Sequence, residues 1–86
     1  MKKLTLTNWS TFDYESKNRL IIYGFDDEDE KYEVEEMLFH GKDYEVESML
    51  ELYSEYNVAP GALYCYYYFD IVGDFLVVTE NVAYNI

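Results

Sequence analysis

Ala62-Leu63-Tyr64-Cys65-Tyr66-Tyr67-Tyr68-Phe69-Asp70-Ile71-Val72, followed by Gly73-Asp74 and then Phe75-Leu76-Val77-Val78-Thr79, reads as a β-hairpin. Tyrosine and β-branched residues crowd both flanks, and such side chains fit a pleated, half-buried surface. Gly73-Asp74 between them is a two-residue hairpin connection. Glu80-Asn81 reads as a second turn, which makes Val82 to Ile86 the last strand of a C-terminal meander. Alternation places Tyr64, Tyr66 and Tyr68 on one face of the first strand and Cys65, Tyr67, Phe69 and Ile71 on the other. Both faces are bulky, and a small domain buries one of them well. Tyr67 and Phe69 are core candidates. The Tyr64–Tyr66–Tyr68 row fits either core or a contact surface, because tyrosine offers a large area and a hydroxyl. A homodimer formed through these tyrosines is one such contact.

Upstream lies an abrupt change in composition. Thirteen of the chain's eighteen carboxylates fall between Asp26 and Glu55, opposed only by Lys31 and Lys42. Thirteen acids against two lysines leave −11 of the total net charge of −12 in this block. A disordered acidic chain would be poor in aromatic residues, whereas half of these 86 residues are hydrophobic and a fifth aromatic. A folded single domain over residues 1–86 is therefore expected, with the acidic block 26–55 inside it.

The acidic block contains an internal echo. Tyr32-Glu33-Val34-Glu35-Glu36-Met37-Leu38 recurs twelve residues later as Tyr44-Glu45-Val46-Glu47-Ser48-Met49-Leu50. The second copy fits a helix from an Asp43 N-cap to Asn57, with Val46, Met49, Leu50 and Tyr53 at i, i+3, i+4, i+7. Pro60-Gly61 lies just beyond. The first copy suits a short helix stopped by Gly41, although Tyr-Glu-Val-Glu also alternates as a strand does. Asp26-Asp27-Glu28-Asp29-Glu30 is an acidic loop or a helix N-terminus, where the dipole favours carboxylates. Near the start, Leu4 to Thr7 alternates as a strand, Trp9, Phe12 and Tyr14 anchor a turn-prone segment, and Arg19 to Tyr23 is a second strand closed by Gly24. The expected fold is α+β, a small antiparallel sheet of N-terminal strands plus the C-terminal meander, with one or two short acidic helices.

Chemistry is sparse. His40 is the single histidine and Cys65 the single cysteine, so neither an internal disulfide nor a histidine-pair metal site can form. His40 beside Gly41 reads as a helix C-terminal residue and Cys65 as a packed strand residue. An EF-hand loop counted from Asp26 needs glycine at its sixth position, where Lys31 stands. The four glycines are isolated and form no phosphate loop. These absences point away from an enzyme and from a cofactor or metal. No apolar leader or spanning run is present, so a cytoplasmic protein is expected. Strong acidity excludes direct nucleic-acid or anionic-membrane contact, since both would repel it.

On the expected second helix, Glu47, Glu51 and Glu55 recur every four residues with no lysine between. Such like-charge pairs cost a helix roughly 0.2–0.5 kcal/mol each. Their axial spacing of about 6 Å is close to that of neighbouring phosphates on one strand. Together with Asp26, Asp27, Glu28, Asp29, Glu30, Glu33 and Glu36, they are the candidate partner-binding acids, and Tyr64, Tyr66 and Tyr68 the candidate aromatic contacts. The expected partner is a basic nucleic-acid-binding protein, such as a nuclease complex. Two other readings stay open: an immunity protein or antitoxin that neutralises a basic toxin, and an interaction domain whose charge only solvates it.

In size, charge and lack of catalytic groups the chain resembles the small DNA-mimic inhibitors of phages and mobile elements, of the antirestriction or anti-CRISPR type. The stretch from Tyr32-Glu33-Val34 through Tyr44-Glu45-Val46 to Met49-Leu50-Glu51-Leu52 is similar to ArdA-type antirestriction proteins. Those proteins carry tyrosine–acid strands leading into an acidic helix. The similarity spans about a third of the chain, which is shorter than that multi-domain family. It implies inhibition of a DNA-binding enzyme by an acidic surface, with Glu47, Glu51 and Glu55 among the contacts.

Overall fold

A computed structural model describes residues 1–5, 13, 15–52 and 62–84, with 62–65 and 82–84 described by their backbone alone. The elements run β1 (Lys2–Lys3), β2 (Asn18–Gly24), α1 (Glu28–Phe39), α2 (Asp43–Met49), β3 (Ala62–Val72) and β4 (Phe75–Tyr84). The strands form one antiparallel sheet in the order β1-β2-β4-β3. The expected α+β fold, a small antiparallel sheet with two short helices, is what forms.

The β3–β4 hairpin turns at Gly73, whose φ of +59° suits the glycine-first position of a type II′ turn. Phe25 N donates to Asp74 O at 3.1 Å, tying the end of β2 to this turn. Beyond Thr79 the expectation fails: Glu80-Asn81 is no turn. β4 continues through both residues to Tyr84, pairing Arg19 with Glu80 and Asn18 with Asn81. Two polar partners on β2 hold these residues in the ladder. Asn81 Nδ2 donates to Asn18 Oδ1 at 2.6 Å, and Arg19 Nη2 donates to Glu80 Oε2 at 3.1 Å. Val82 to Tyr84 thus prolongs β4 and makes no third meander strand, while residues 85 and 86 lie outside the described residues.

The register sorts the sheet into two faces. Inward rows are Tyr23–Leu76–Ile71, Ile21–Val78–Phe69 and Arg19–Glu80–Tyr67. With Val34, Val46 and Leu52 from the helical side they make the core, in which Ile21, Val34, Val46, Leu52, Leu76 and Val78 are fully buried. Each such aliphatic burial is worth about 1.5–3 kcal/mol. The echo is real in structural terms. Val34 and Val46 occupy equivalent places as the buried residue of their helix, and Tyr32 and Tyr44 equivalent exposed places.

The ambiguous first copy is a helix with both ends capped. Asp27 Oδ1 accepts from Glu30 N at 2.8 Å, the N-cap bond that satisfies one orphan donor. Glu30 Oε1 reaches back to Asp26 N at 3.0 Å. At the other end Lys42 N donates to Met37 O and Gly41 N to Leu38 O, with Gly41 at φ +69°, a Schellman closure after the His40 cap. Asp27→Ala is expected to cost about 1 kcal/mol, read as a lower urea midpoint at unchanged slope.

The second copy departs from expectation. α2 ends at Met49, and its N-cap is Lys42, with no side-chain cap; Asp43 is the first helical residue. Glu51 takes φ +56°, a left-handed conformation unfavourable for a side chain with a Cβ. That turn lets Leu52 drop into the core, where its carbonyl accepts from Tyr67 Oη at 3.2 Å. Helical periodicity favours Met49 and Tyr53, but Met49 is exposed and Tyr53 lies outside the described residues, as do Asn57 and Pro60-Gly61.

The first strand also shifts. Ladder pairing is made by Lys2 with Gly24 and Lys3 with Tyr23, two residues before the expected Leu4–Thr7. Leu4 N still donates to Ile22 O at 2.8 Å, and Thr5 Oγ1 accepts from Ile22 N at 3.1 Å. Leu6 and Thr7, like Trp9, Phe12 and Tyr14, lie outside the described residues. Lys3 Nζ sits 5.9 Å from the Tyr23 ring centre, and the Met1 amine donates to Asp26 Oδ2 at 2.5 Å and Glu30 Oε2 at 2.8 Å. These contacts pin the N-terminus one pair earlier than the hydrophobic alternation suggests.

Hydrogen bonds donated to Asp26 first and Glu30 second hold the Met1 amine above its ordinary pKa of 8.0. A raised folded-state value means the clamp contributes fully below pH 8 and is lost as pH rises through that value. Between about pH 7 and pH 10, the melting temperature of the free-amine protein is expected to fall further than that of its Nα-acetylated form.

Candidate functional site

Capping, helix length and burial divide the acidic block. α1 must begin at an N-cap acid and bury Val34, so its remaining carboxylates turn outwards. From Asp26 to Glu36 there are eight carboxylates and one lysine. Three of these acids serve the fold: Asp26 and Glu30 hold the Met1 amine, and Asp27 caps the helix. Glu28, Asp29, Glu33, Glu35 and Glu36 are exposed. Helical spacing sets Asp29, Glu33, Glu36 and His40 in one stripe and Glu28, Tyr32, Glu35 and Phe39 in the next.

Where α1 meets α2, Tyr32, Glu33, Glu36, Met37, His40, Lys42 and Glu45 line a shallow cleft of about 330 Å3. His40 Nε2 lies 3.4 Å from Glu36 Oε2, one turn back on the same helix. Its ring meets Phe39 edge-on at 5.2 Å. His40 is therefore an exposed helix-end residue with an acidic neighbour. Exposed aromatics interrupt the acids, with Phe39 83% accessible, Tyr32 64% and Tyr44 60%.

The Glu47–Glu51–Glu55 row does not survive as one helical row. Glu47 is half-buried on α2, Glu51 sits past the helix in its left-handed turn, and Glu55 lies outside the described residues. The α1 stripe, of which only Glu33 and Glu36 stood out singly in the sequence beside the Asp26–Glu30 run, is the acidic row that the described residues bring together. Glu35, facing outward on the second stripe, and Glu45, at the cleft, are the acids that sequence reasoning missed. Their signal was the echo itself, which repeats acids at both positions.

On the opposite side of the sheet, Tyr66 and Tyr68 point away from the helices and are 49% and 60% accessible, while Tyr67 is buried. The predicted alternation holds for these three. Of Tyr64 and Cys65 only the backbone is described, next to a register irregularity between Ala62 and Tyr64. Among the described residues no group of three or more His, Cys, Asp or Glu is arranged to hold a metal ion, despite the density of acids. Among them, too, no helix is long and apolar enough to cross a membrane. The chain matches no protein-family model, no curated protein and no solved structure.

Proposed function

We propose that the protein is a non-catalytic inhibitor that presents its acidic helical layer to the nucleic-acid-binding site of a host defence enzyme. A CRISPR nuclease or a restriction enzyme has such a site. The observation that carries this reading is the set of outward carboxylates on α1 that the fold itself does not use. Twelve residues of helix span about 18 Å. The five outward acids Glu28, Asp29, Glu33, Glu35 and Glu36 over that length give one charge per roughly 3.6 Å, against one per about 3.4 Å along a single nucleic-acid strand. Lysines and arginines that neutralise phosphates would meet a similar line density here.

Exposed Phe39, Tyr32 and Tyr44 beside these acids favour a second reading, an immunity protein or antitoxin that grips a basic toxin through aromatic anchors. Affinity capture at low and high salt separates the two. A phosphate mimic binds a DNA-binding protein at low salt and releases it at high salt, because its contacts are screened charge pairs. Retention of a toxin at high salt would favour the anchored interface. Capture of no partner at either salt concentration would leave the acids as a solvated face and contradict both.

A further inference from the structure

The sheet face away from the helices is open and apolar. Its rows, read across β2, β4 and β3, are Asn18–Asn81–Tyr66, Leu20–Thr79–Tyr68, Ile22–Val77–Asp70 and Gly24–Phe75–Val72. Leu20 is 53% accessible, Val72 54% and Phe75 46%, values that belong to a surface. Ile22, Val72, Phe75 and Val77 floor a wholly apolar depression. Asp70 is the one formal charge that β2, β3 and β4 put on this face among the described side chains. Arg19 and Glu80 are both turned to the core.

We infer that this face binds a second copy of the chain, sheet against sheet, in a two-fold sandwich. Charge selects the occupant. A basic partner finds almost no counter-charge here, whereas the other side of the molecule is densely acidic and draws it there; what suits this face is a surface as neutral and apolar as itself. A second copy contributes the same nearly neutral apolar face. Stacked sheets lie about 10 Å apart, and each helical layer adds about 10 Å outside its sheet, so the two acidic layers end about 30 Å apart. That exceeds the Debye length of about 8 Å at physiological salt. Face-to-face stacking thus lets two highly charged copies associate with little mutual repulsion.

The area fits a small interface. β2 has seven residues and β3 eleven, giving a face about 23–36 Å long and about 14 Å across three strands. Two copies together bury about 640–1,000 Å2, a small interface at the lower limit for specific association. This inference is independent of the role proposed for the acidic layer. If both hold, the dimer displays two acidic layers facing opposite ways.

Sedimentation equilibrium across a concentration series tests it. The wild type is expected to reach twice the monomer mass and to dimerise at least as well in high salt, since burial is apolar and the residual repulsion is screened. Leu20→Glu with Phe75→Glu, at two exposed positions, is expected to give a folded monomer by circular dichroism. Tyr68→Glu serves the same purpose if that pair does not fold. Phe39→Glu on the helical side is expected to leave the dimer intact. A wild-type monomer at every concentration would overturn the inference and give the face to a different partner. So would a dimer that survives Leu20→Glu with Phe75→Glu, which would point to pairing along the β3 edge. A dimer lost in Phe39→Glu alone, or dissolved by salt, would also overturn it.

Discussion

Glu80→Ala is expected to destabilise the protein by about 3–5 kcal/mol, because it leaves the Arg19 guanidinium in the core without its carboxylate. Arg19 is 2% accessible and Glu80 0%, and their 3.1 Å bond joins directly opposed residues of neighbouring strands. A domain of this size has roughly 4–13 kcal/mol of total stability, so the variant should be marginal or unfolded at 37 °C. Replacing both partners together, Arg19→Met with Glu80→Leu, should restore stability to within about 1 kcal/mol of wild type or exceed it, since desolvating two charges offsets much of their attraction. Urea unfolding of the two singles and the double gives the coupling directly. A loss below about 1 kcal/mol for Glu80→Ala would mean that water reaches the pair and that it behaves as a surface contact.

The second large effect concerns the acidic layer. Asp29→Gln, Glu33→Gln and Glu36→Gln together are expected to weaken binding to a basic partner about a hundredfold, taking about 1 kcal/mol for each screened charge pair. All three side chains are exposed on α1, so the fold should be unaffected or slightly stabilised by relief of like-charge contacts. Glu47→Gln with Glu51→Gln should have a smaller effect, because Glu47 is half-buried and Glu51 stands off the helix. Isothermal titration at two salt concentrations would show the triple variant losing both affinity and salt dependence. A larger loss in the Glu47 and Glu51 pair would return the site to the second copy of the echo.

The sequence made most of the architecture legible, and its failures share a cause. Alternation in Tyr66-Tyr67-Tyr68 and the Gly73-Asp74 turn located the hairpin, and Asp27, Gly41 and the Val34 spacing mark α1 once helix is chosen over strand. Each of these signals is local. Glu80-Asn81 looked like a turn because nothing nearby shows that Arg19 and Asn18, some sixty residues away, wait across the ladder to receive them. The end of α2 was hidden for the same reason: Leu52 leaves the helical register to reach Tyr67 on β3. The candidate site inherited that second error, since the Glu47–Glu51–Glu55 row needed a helix two turns longer than α2. The composition of the acidic block was plain from the start. Its division into acids that clamp the N-terminus, cap α1 or face outwards depends on tertiary contacts.

Displacement of DNA tests the proposed role most directly. Labelled duplex DNA bound to members of a panel of CRISPR and restriction nucleases would be titrated with wild-type protein and with the Asp29, Glu33, Glu36 glutamine variant. The expected result is that wild type releases DNA from at least one enzyme, with a steep loss of potency at high salt, and that the variant needs about a hundredfold more protein. Displacement by both proteins at equal concentration, or by neither from any enzyme of the panel, would contradict DNA mimicry by the acidic layer.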